Sequence, residues 1–196
     1  MEESKRMKKF GALVIGGSAG SLDVLLKILP NISPKINFPI IIVVHRKQGT
    51  DSLLSNLLSH RTQLKVKEAD EKEKILDGYV YIAPSDYHLL VEKALTFSLD
   101  YSEKINYSRP SIDVTFQTAA DAYGDKLVCL LLSGSNADGV NGLIYAKKNG
   151  GTTLVQHPDS AQVTYMPEQA ILRANVSAIL QVEEMANYIN SLATNY

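Results

Sequence analysis

Cysteine is almost missing from this chain. Cys129 stands alone inside an apolar run, so no internal disulfide can form, and its setting fits a reducing compartment such as the cytoplasm. One thiol cannot build a cysteine-based metal site either. No apolar run approaches the roughly 18 residues that a membrane-spanning helix needs, so no membrane insertion is expected. The basic residues Lys5, Arg6, Lys8 and Lys9 are followed by no long apolar segment, so residues 1–9 are expected to be a solvated tail rather than a secretory signal. Excess charge is lacking too: a formal net charge of −1 over 196 residues gives no footprint for nucleic acid. Repeats, low-complexity segments and an interior linker are absent, so residues 10–196 read as one domain with a sizeable core.

What is present is alternation. Apolar runs at Ala12–Ile15, Pro39–Val44, Tyr79–Ala83, Leu127–Leu132, Thr152–Val155 and Val176–Leu180 are short, and Pro39–Val44 is rich in β-branched residues, which favours strands. Helical spacing lies between them. It is carried by Leu22, Leu25, Leu26 and Leu29, then by Leu53, Leu54, Leu57 and Leu58 behind a Thr50 or Asp51 cap. Further on, Ser111 caps a helix through Ile112, Val114, Phe116, Ala119 and Ala120. Other helices run through Leu143 and Ala146 to a stop at Asn149-Gly150-Gly151, open at Met166-Pro167, and begin at Glu183. The charged stretch Lys65–Lys74 reads as a connection, and Leu89–Val91 with Leu95–Leu99 as a hairpin. The pattern predicts an α/β fold: a doubly wound, mostly parallel sheet with helices on both faces and a small antiparallel hairpin insertion. Leu127–Leu132, the most apolar run, belongs at the centre of the sheet.

The chain is organised around Phe10-Gly-Ala-Leu-Val-Ile-Gly-Gly-Ser-Ala-Gly-Ser21, read as a strand, a tight turn at Gly16-Gly17, and a helix. Ser18 falls at the junction, where free amides and the helix dipole favour negative charge. From the residues alone it is a nucleophile, a phosphate-binding hydroxyl or an N-cap. His45 ends the second strand, as a general base or a satisfied structural histidine. Asp138 precedes Gly139 after the central strand, as an orienting carboxylate or a cap for the following helix. Working groups of such sheets gather beyond the carboxyl ends of the strands, and serine, histidine and aspartate together have the chemistry of a hydrolytic triad. A glycine-rich loop is also compatible with a dinucleotide-binding domain. That reading predicts an acidic ribose partner near the end of the second strand, where the chain has His45-Arg46-Lys47.

Longer motifs narrow the choice. Val14-Ile-Gly-Gly-Ser-Ala-Gly-Ser21, Val43-Val44-His45, Val66-Lys-Glu-Ala69, Gly78-Tyr-Val-Tyr-Ile-Ala-Pro84 with His88, and Arg109-Pro-Ser-Ile-Asp-Val114 come first. Leu132-Ser-Gly-Ser-Asn-Ala-Asp-Gly139, Gly150-Gly151 and Met166-Pro167 with Ala170-Ile171 follow in order. From about Phe10 to Leu180 the chain resembles the catalytic domain of the CheB family, the chemotaxis protein-glutamate methylesterases. The resemblance implies hydrolysis of glutamyl methyl esters on the cytoplasmic region of methyl-accepting chemoreceptors, and deamidation of receptor glutamines. It implies no metal or organic cofactor, a cytoplasmic location, and a methyltransferase or receiver-domain protein as further partners. By motif, Ser18 falls on the nucleophile, His45 on the base and Asp138 on the acidic member. Backbone N–H groups at Ala19 and in the Gly134-Ser135 turn are the oxyanion candidates, with Met166 a further cleft candidate.

The chain also departs from the family pattern. Ala19 and Ser21 replace the usual threonine and glycine, Ser108 a common histidine, Ser135 a methionine, and Tyr165 a glycine, which bears on substrate choice and rate. In the familiar architecture a receiver domain precedes the esterase. Only about nine residues precede the first strand here, so the expectation is a CheB-type domain without a receiver domain, or a piece of a longer protein. A non-catalytic CheB-like module binding a receptor or methyltransferase is the alternative, disfavoured by the intact Ser18, His45 and Asp138. Asp113 reads as a first-turn helix carboxylate or a cleft residue, and Arg109 as an ion-pair partner or a contact to an acidic receptor surface. Tyr87, Tyr101 and Tyr107 read as a docking rim or as scattered surface aromatics.

Overall fold

The computed structural model describes residues 9–46 and 51–194, without the side chains of residues 51, 52 and 194. The expected cap at Thr50 or Asp51, and Lys5, Arg6, Lys8 and Lys47, lie outside what is described. In chain order the elements are β1 (Ala12–Gly17), α1 (Ser21–Ile28), β2 (Ile40–Val44), α2 (Asp51–Ser59), β3 (Lys65–Glu68), β4 (Tyr79–Ile82), β5 (His88–Val91), β6 (Phe97–Asp100), α3 (Ile112–Tyr123), β7 (Leu127–Leu131), α4 (Val140–Lys148), β8 (Thr152–Gln156), α5 (Tyr165–Arg173), β9 (Ala178–Leu180) and α6 (Val182–Thr194). Seven strands form a sheet in the order β3-β4-β2-β1-β7-β8-β9, parallel throughout, and β5 and β6 form the separate antiparallel hairpin.

Side chains alternate across a strand, and each central strand therefore feeds two cores. Leu13, Ile15, Ile40, Ile42, Val128 and Leu130 pack on one face with Leu25 and Ile28 of α1 and Met185 and Ile189 of α6. Ala12, Val14, Ile41, Val43, Cys129 and Leu131 pack on the other with Phe116 and Ala119 of α3, Leu143 of α4 and Phe97 of the hairpin. Burial on both sides explains the unbroken apolar runs of β1, β2 and β7. It also pushes the Cys129 thiol up, which leaves it an inert core residue.

Several expectations need correction. Gly16 and Gly17 are not the turn but the last residues of β1. They are small for packing reasons: a side chain on Gly16 would overlap Ile112, and one on Gly17 would meet Ser21. The turn is made at Gly20, with φ 82. The Lys65–Lys74 stretch contains β3, an edge strand whose charged residues hid it. In α1 the buried face is Ser21, Val24, Leu25 and Ile28, and Leu22 turns outward. Among the described residues no helix is long and apolar enough to cross a membrane.

The chain leaves β1 for β2 on one side and later returns to β7 on the other. A crevice therefore opens beyond the carboxyl end of β1, where this topology places ligands.

Candidate active site

Ser18, His45 and Asp138 follow β1, β2 and β7, three adjacent strands. Parallel register pairs Gly17 with Val44, and the His45 N–H donates to the Gly17 carbonyl at 3.1 Å. The next side chain on each strand, Ser18 and His45, lines one groove. The Ser18 N–H is anchored to the Ser133 carbonyl at 2.9 Å. Buried Ser133 is in turn fixed by its hydroxyl, which donates to the Ala19 carbonyl at 2.7 Å, and by its N–H on Gln156 Oε1 at 2.9 Å. The turn around Ser18 is therefore pinned from below.

His45 Nε2 lies 2.7 Å from Asp138 Oδ2. An ionised carboxylate only accepts, so Nε2 carries a proton, and in the neutral imidazole the lone pair is then on Nδ1. The Ser108 hydroxyl lies 3.4 Å from Nδ1. Ser18 Oγ has no hydrogen-bond partner among the described residues. The structure thus joins His45 to Asp138 directly and brings Ser18 into the same groove without closing the third contact. Catalytic hydrogen bonds of this kind tighten in the Michaelis or transition-state complex.

Asp138 has no exposed surface, and its two oxygens accept six hydrogen bonds. The donors are His45 Nε2, Asn106 Nδ2, Ser111 Oγ and the backbone N–H groups of Ile112, Asp113 and Gly139. Burial alone would raise its pKa. The bond from His45 and the amides outweigh burial and hold the group below the usual carboxylate range. Asp138 does cap a helix, but that helix is α3, 26 residues back, rather than α4 just ahead. Ser111 sits at the N-cap of α3 yet makes no capping bond of its own, because its hydroxyl is turned to Asp138.

Asp113 returns the favour. Standing in the first turn of α3, it accepts from the Gly142 N–H of α4 at 2.6 Å and from Asn106 Nδ2 at 3.0 Å. Burial raises its pKa to about 6, helped by the nearby charge of Asp138 and opposed by these donors. The folded value lies above the ordinary 3.8, so its contribution to stability is complete below that pH and lost as pH rises through about 6. The loss is on the order of 3 kcal/mol. Urea midpoints of the wild-type chain are expected to carry this downward component between pH 4 and 6, and Asp113→Asn to flatten it. The same slope in both proteins would contradict the assignment.

The oxyanion candidates divide. The Gly134 N–H donates to the Val163 carbonyl at 3.1 Å, and the Met166 N–H to the Gly134 carbonyl at 3.0 Å, so both amides are engaged within the backbone. Gly134 is instead packed closely between neighbours: a methyl group on it would come within 2.5 Å of Met166 Cε and 3.0 Å of Ser18 Cβ. The N–H groups of Ala19 and Ser135 have no partner among the described residues.

Two cavities share His45 and Arg46. One, of about 590 Å3, is lined by Asp86, Tyr101, Lys104, Tyr107, Ser108, Arg109 and Pro110. The other, of about 330 Å3, holds Ser18 and is walled by Leu22, Leu25, Leu53, Leu54 and Leu57. Arg109 is an ion-pair residue: its Nη2 donates to Asp86 at 2.7 Å, and it stacks on Tyr101 at 3.9 Å. Of the three tyrosines, Tyr107 stands out at 98% exposed, while Tyr87 and Tyr101 rest against each other. His88 is structural, its Nδ1 accepting from the Ser111 N–H and its Nε2 donating to the Glu103 carbonyl. Among the described residues no group of three or more His, Cys, Asp or Glu is placed to hold a metal ion.

The sequence model of the CheB methylesterase family matches residues 13–189. The chain belongs to the CheB methylesterase family. A Leptospira interrogans relative is 43% identical over 186 residues, covering 95% of this chain and 96% of its own length. A protein-glutamate methylesterase/protein-glutamine glutaminase of Archaeoglobus fulgidus is 33% identical, matching 90% of this chain but 52% of that protein. The crystal structure of the Thermotoga maritima CheB methylesterase catalytic domain superposes with a TM-score of 0.90 at 33% identity, over 94% of this chain and 99% of that one. Asn106, bonded to Asp138, and Gln156, bonded to the Ser133 N–H, are parts of this candidate site that pattern reading missed. Asn106 sits in a turn 32 residues from Asp138, and its only local signal is a residue type that tolerates positive φ.

Proposed function

We propose that this chain is a cytoplasmic protein-glutamate methylesterase acting on methyl-accepting chemoreceptors, with protein-glutamine glutaminase activity at the same centre. The observation that carries the reading is the 2.7 Å contact between His45 and a fully buried Asp138, beside a serine at the next strand end. Membership of the CheB family supports the choice of ester.

In this reading Ser18 Oγ attacks the glutamyl ester carbonyl while His45 Nδ1 takes its proton. Asp138 keeps the imidazole in the tautomer that can do so and stabilises the imidazolium. The N–H groups of Ala19 and Ser135 receive the oxyanion. The C–OCH3 bond then breaks, His45 returns the proton to the leaving oxygen, and methanol departs. Water, deprotonated by His45, cleaves the acyl-serine to a glutamate carboxylate and restores Ser18. With glutamine, ammonia leaves in place of methanol.

The test is methanol release from a methylated cytoplasmic fragment of a chemoreceptor, with ammonia followed for the glutamine form. Time-dependent methanol above a no-enzyme control is expected. A folded chain that releases none would contradict the reading.

A further inference from the structure

We propose that Asn106 is a positioning residue of the hydrolytic centre, its side-chain amide holding the Asp138 carboxylate in the orientation that aligns His45. The inference rests on the Ser18, His45 and Asp138 reading above and extends it to a loop that carries none of those three.

Asp113 and Asp138 are both buried, at 5% and 0% exposure, and both can only accept hydrogen bonds when ionised. Asn106 Nδ2 lies between them, 3.0 Å from Asp113 Oδ2 and 3.1 Å from Asp138 Oδ1. A site flanked by two acceptors needs a group with two donors on one atom, and a neutral primary amide meets that need without adding charge. A hydroxyl supplies one donor, and a carboxylate none. Held in this way, Asp138 Oδ1 is tethered and Oδ2 is left facing His45 Nε2.

The backbone fixes where that amide points. Ile105 and Ser108 exchange N–H···O bonds of 3.1 and 2.9 Å, closing a two-residue turn on Asn106 and Tyr107. Both central residues have positive φ, 51 and 62, the signature of a type I′ hairpin. One side of the turn sends Asn106 inward to the carboxylates, and Ser108 approaches His45 Nδ1 at 3.4 Å. Asparagine suits this backbone for its own sake, so a turn-forming role has to be separated from a positioning role.

Two substitutions separate them. Asn106→Gly keeps the turn, since glycine accepts positive φ freely, and removes the amide. Asn106→Asp keeps both shape and turn tolerance but has no donor when ionised. The full chain would be assayed with a peptide carrying one glutamate γ-methyl ester, reading methanol, and with a fluorophosphonate that reports Ser18 reactivity. Wild type and Ser18→Ala run alongside. For both Asn106 variants kcat is expected to fall roughly 10- to 100-fold with KM within about twofold, and labelling to slow in parallel. Wild-type kcat in either folded variant, or a change confined to KM, would overturn the proposal. If one variant does not fold, the other decides by the same criterion. Failure of both to fold would overturn it as well, since the amide would then be holding the fold. An inert, unlabelled wild type would instead defeat the underlying catalytic reading, which keeps the two failures distinct.

Discussion

Replacing His45 by alanine is expected to slow methanol release by about five to six orders of magnitude, the scale seen when a base is removed from a serine hydrolase. A serine hydroxyl holds its proton tightly at neutral pH, and without an acceptor in reach it attacks esters poorly. His45 lines the Ser18 groove and its Nε2 contacts Asp138, which leaves Nδ1 as the proposed base. The fold should survive the change. The imidazole side chain is 12% exposed, and Asp138 keeps its other donors: Asn106, Ser111 and three backbone amides. Added imidazole should restore part of the rate, because the vacated space adjoins two cavities open to solvent. A fall of less than about tenfold would mean that another group takes the proton.

Asp138→Asn is expected to combine a loss of activity with a loss of stability. Turnover is expected to drop about ten-thousandfold, because an amide can donate to His45 and so favours the wrong tautomer. The folding cost arises from the five remaining donors that converge on the carboxylate. An asparagine NH2 faces some of them as a second donor, and the first amides of α3 lose a negative cap. A loss of roughly 2–4 kcal/mol in urea denaturation is expected. The pH dependence follows from the depressed pKa of Asp138. The carboxylate contributes stability above its unfolded value, and the contribution is lost as pH falls through the folded value, below about pH 4. The variant should lack that acid limb. Asp113 works in the opposite direction between pH 4 and 6, so the two effects separate along the pH axis. Unchanged turnover in Asp138→Asn would remove it from the mechanism.

Strands buried on both faces were readable from sequence because burial demands unbroken apolar runs. β2 ends at Val44, one residue before His45, as its pattern predicts. β3 was not readable, since Lys65, Lys67 and Glu68 can be charged only because the strand lies at an exposed edge. Gly16 and Gly17 looked like turn residues because local pattern cannot distinguish a glycine that bends the chain from one that lets a helix approach. Placement of Ser18, His45 and Asp138 at strand ends was legible, whereas the roles proposed for them came from the family resemblance. What stayed hidden was every contact that only the folded topology creates. Asp138 capping a helix behind it in sequence, Asp113 reaching the start of α4, and Asn106 bridging the two carboxylates leave no periodic trace.

The most direct measurement of the central claim is mass mapping of the chain after treatment with a fluorophosphonate. The account predicts one stoichiometric adduct on the peptide containing Ser18, formed quickly in wild type, slowly in His45→Ala, and absent in Ser18→Ala. An adduct on a different serine, or labelling of Ser18 that proceeds at the same rate without His45, would contradict it.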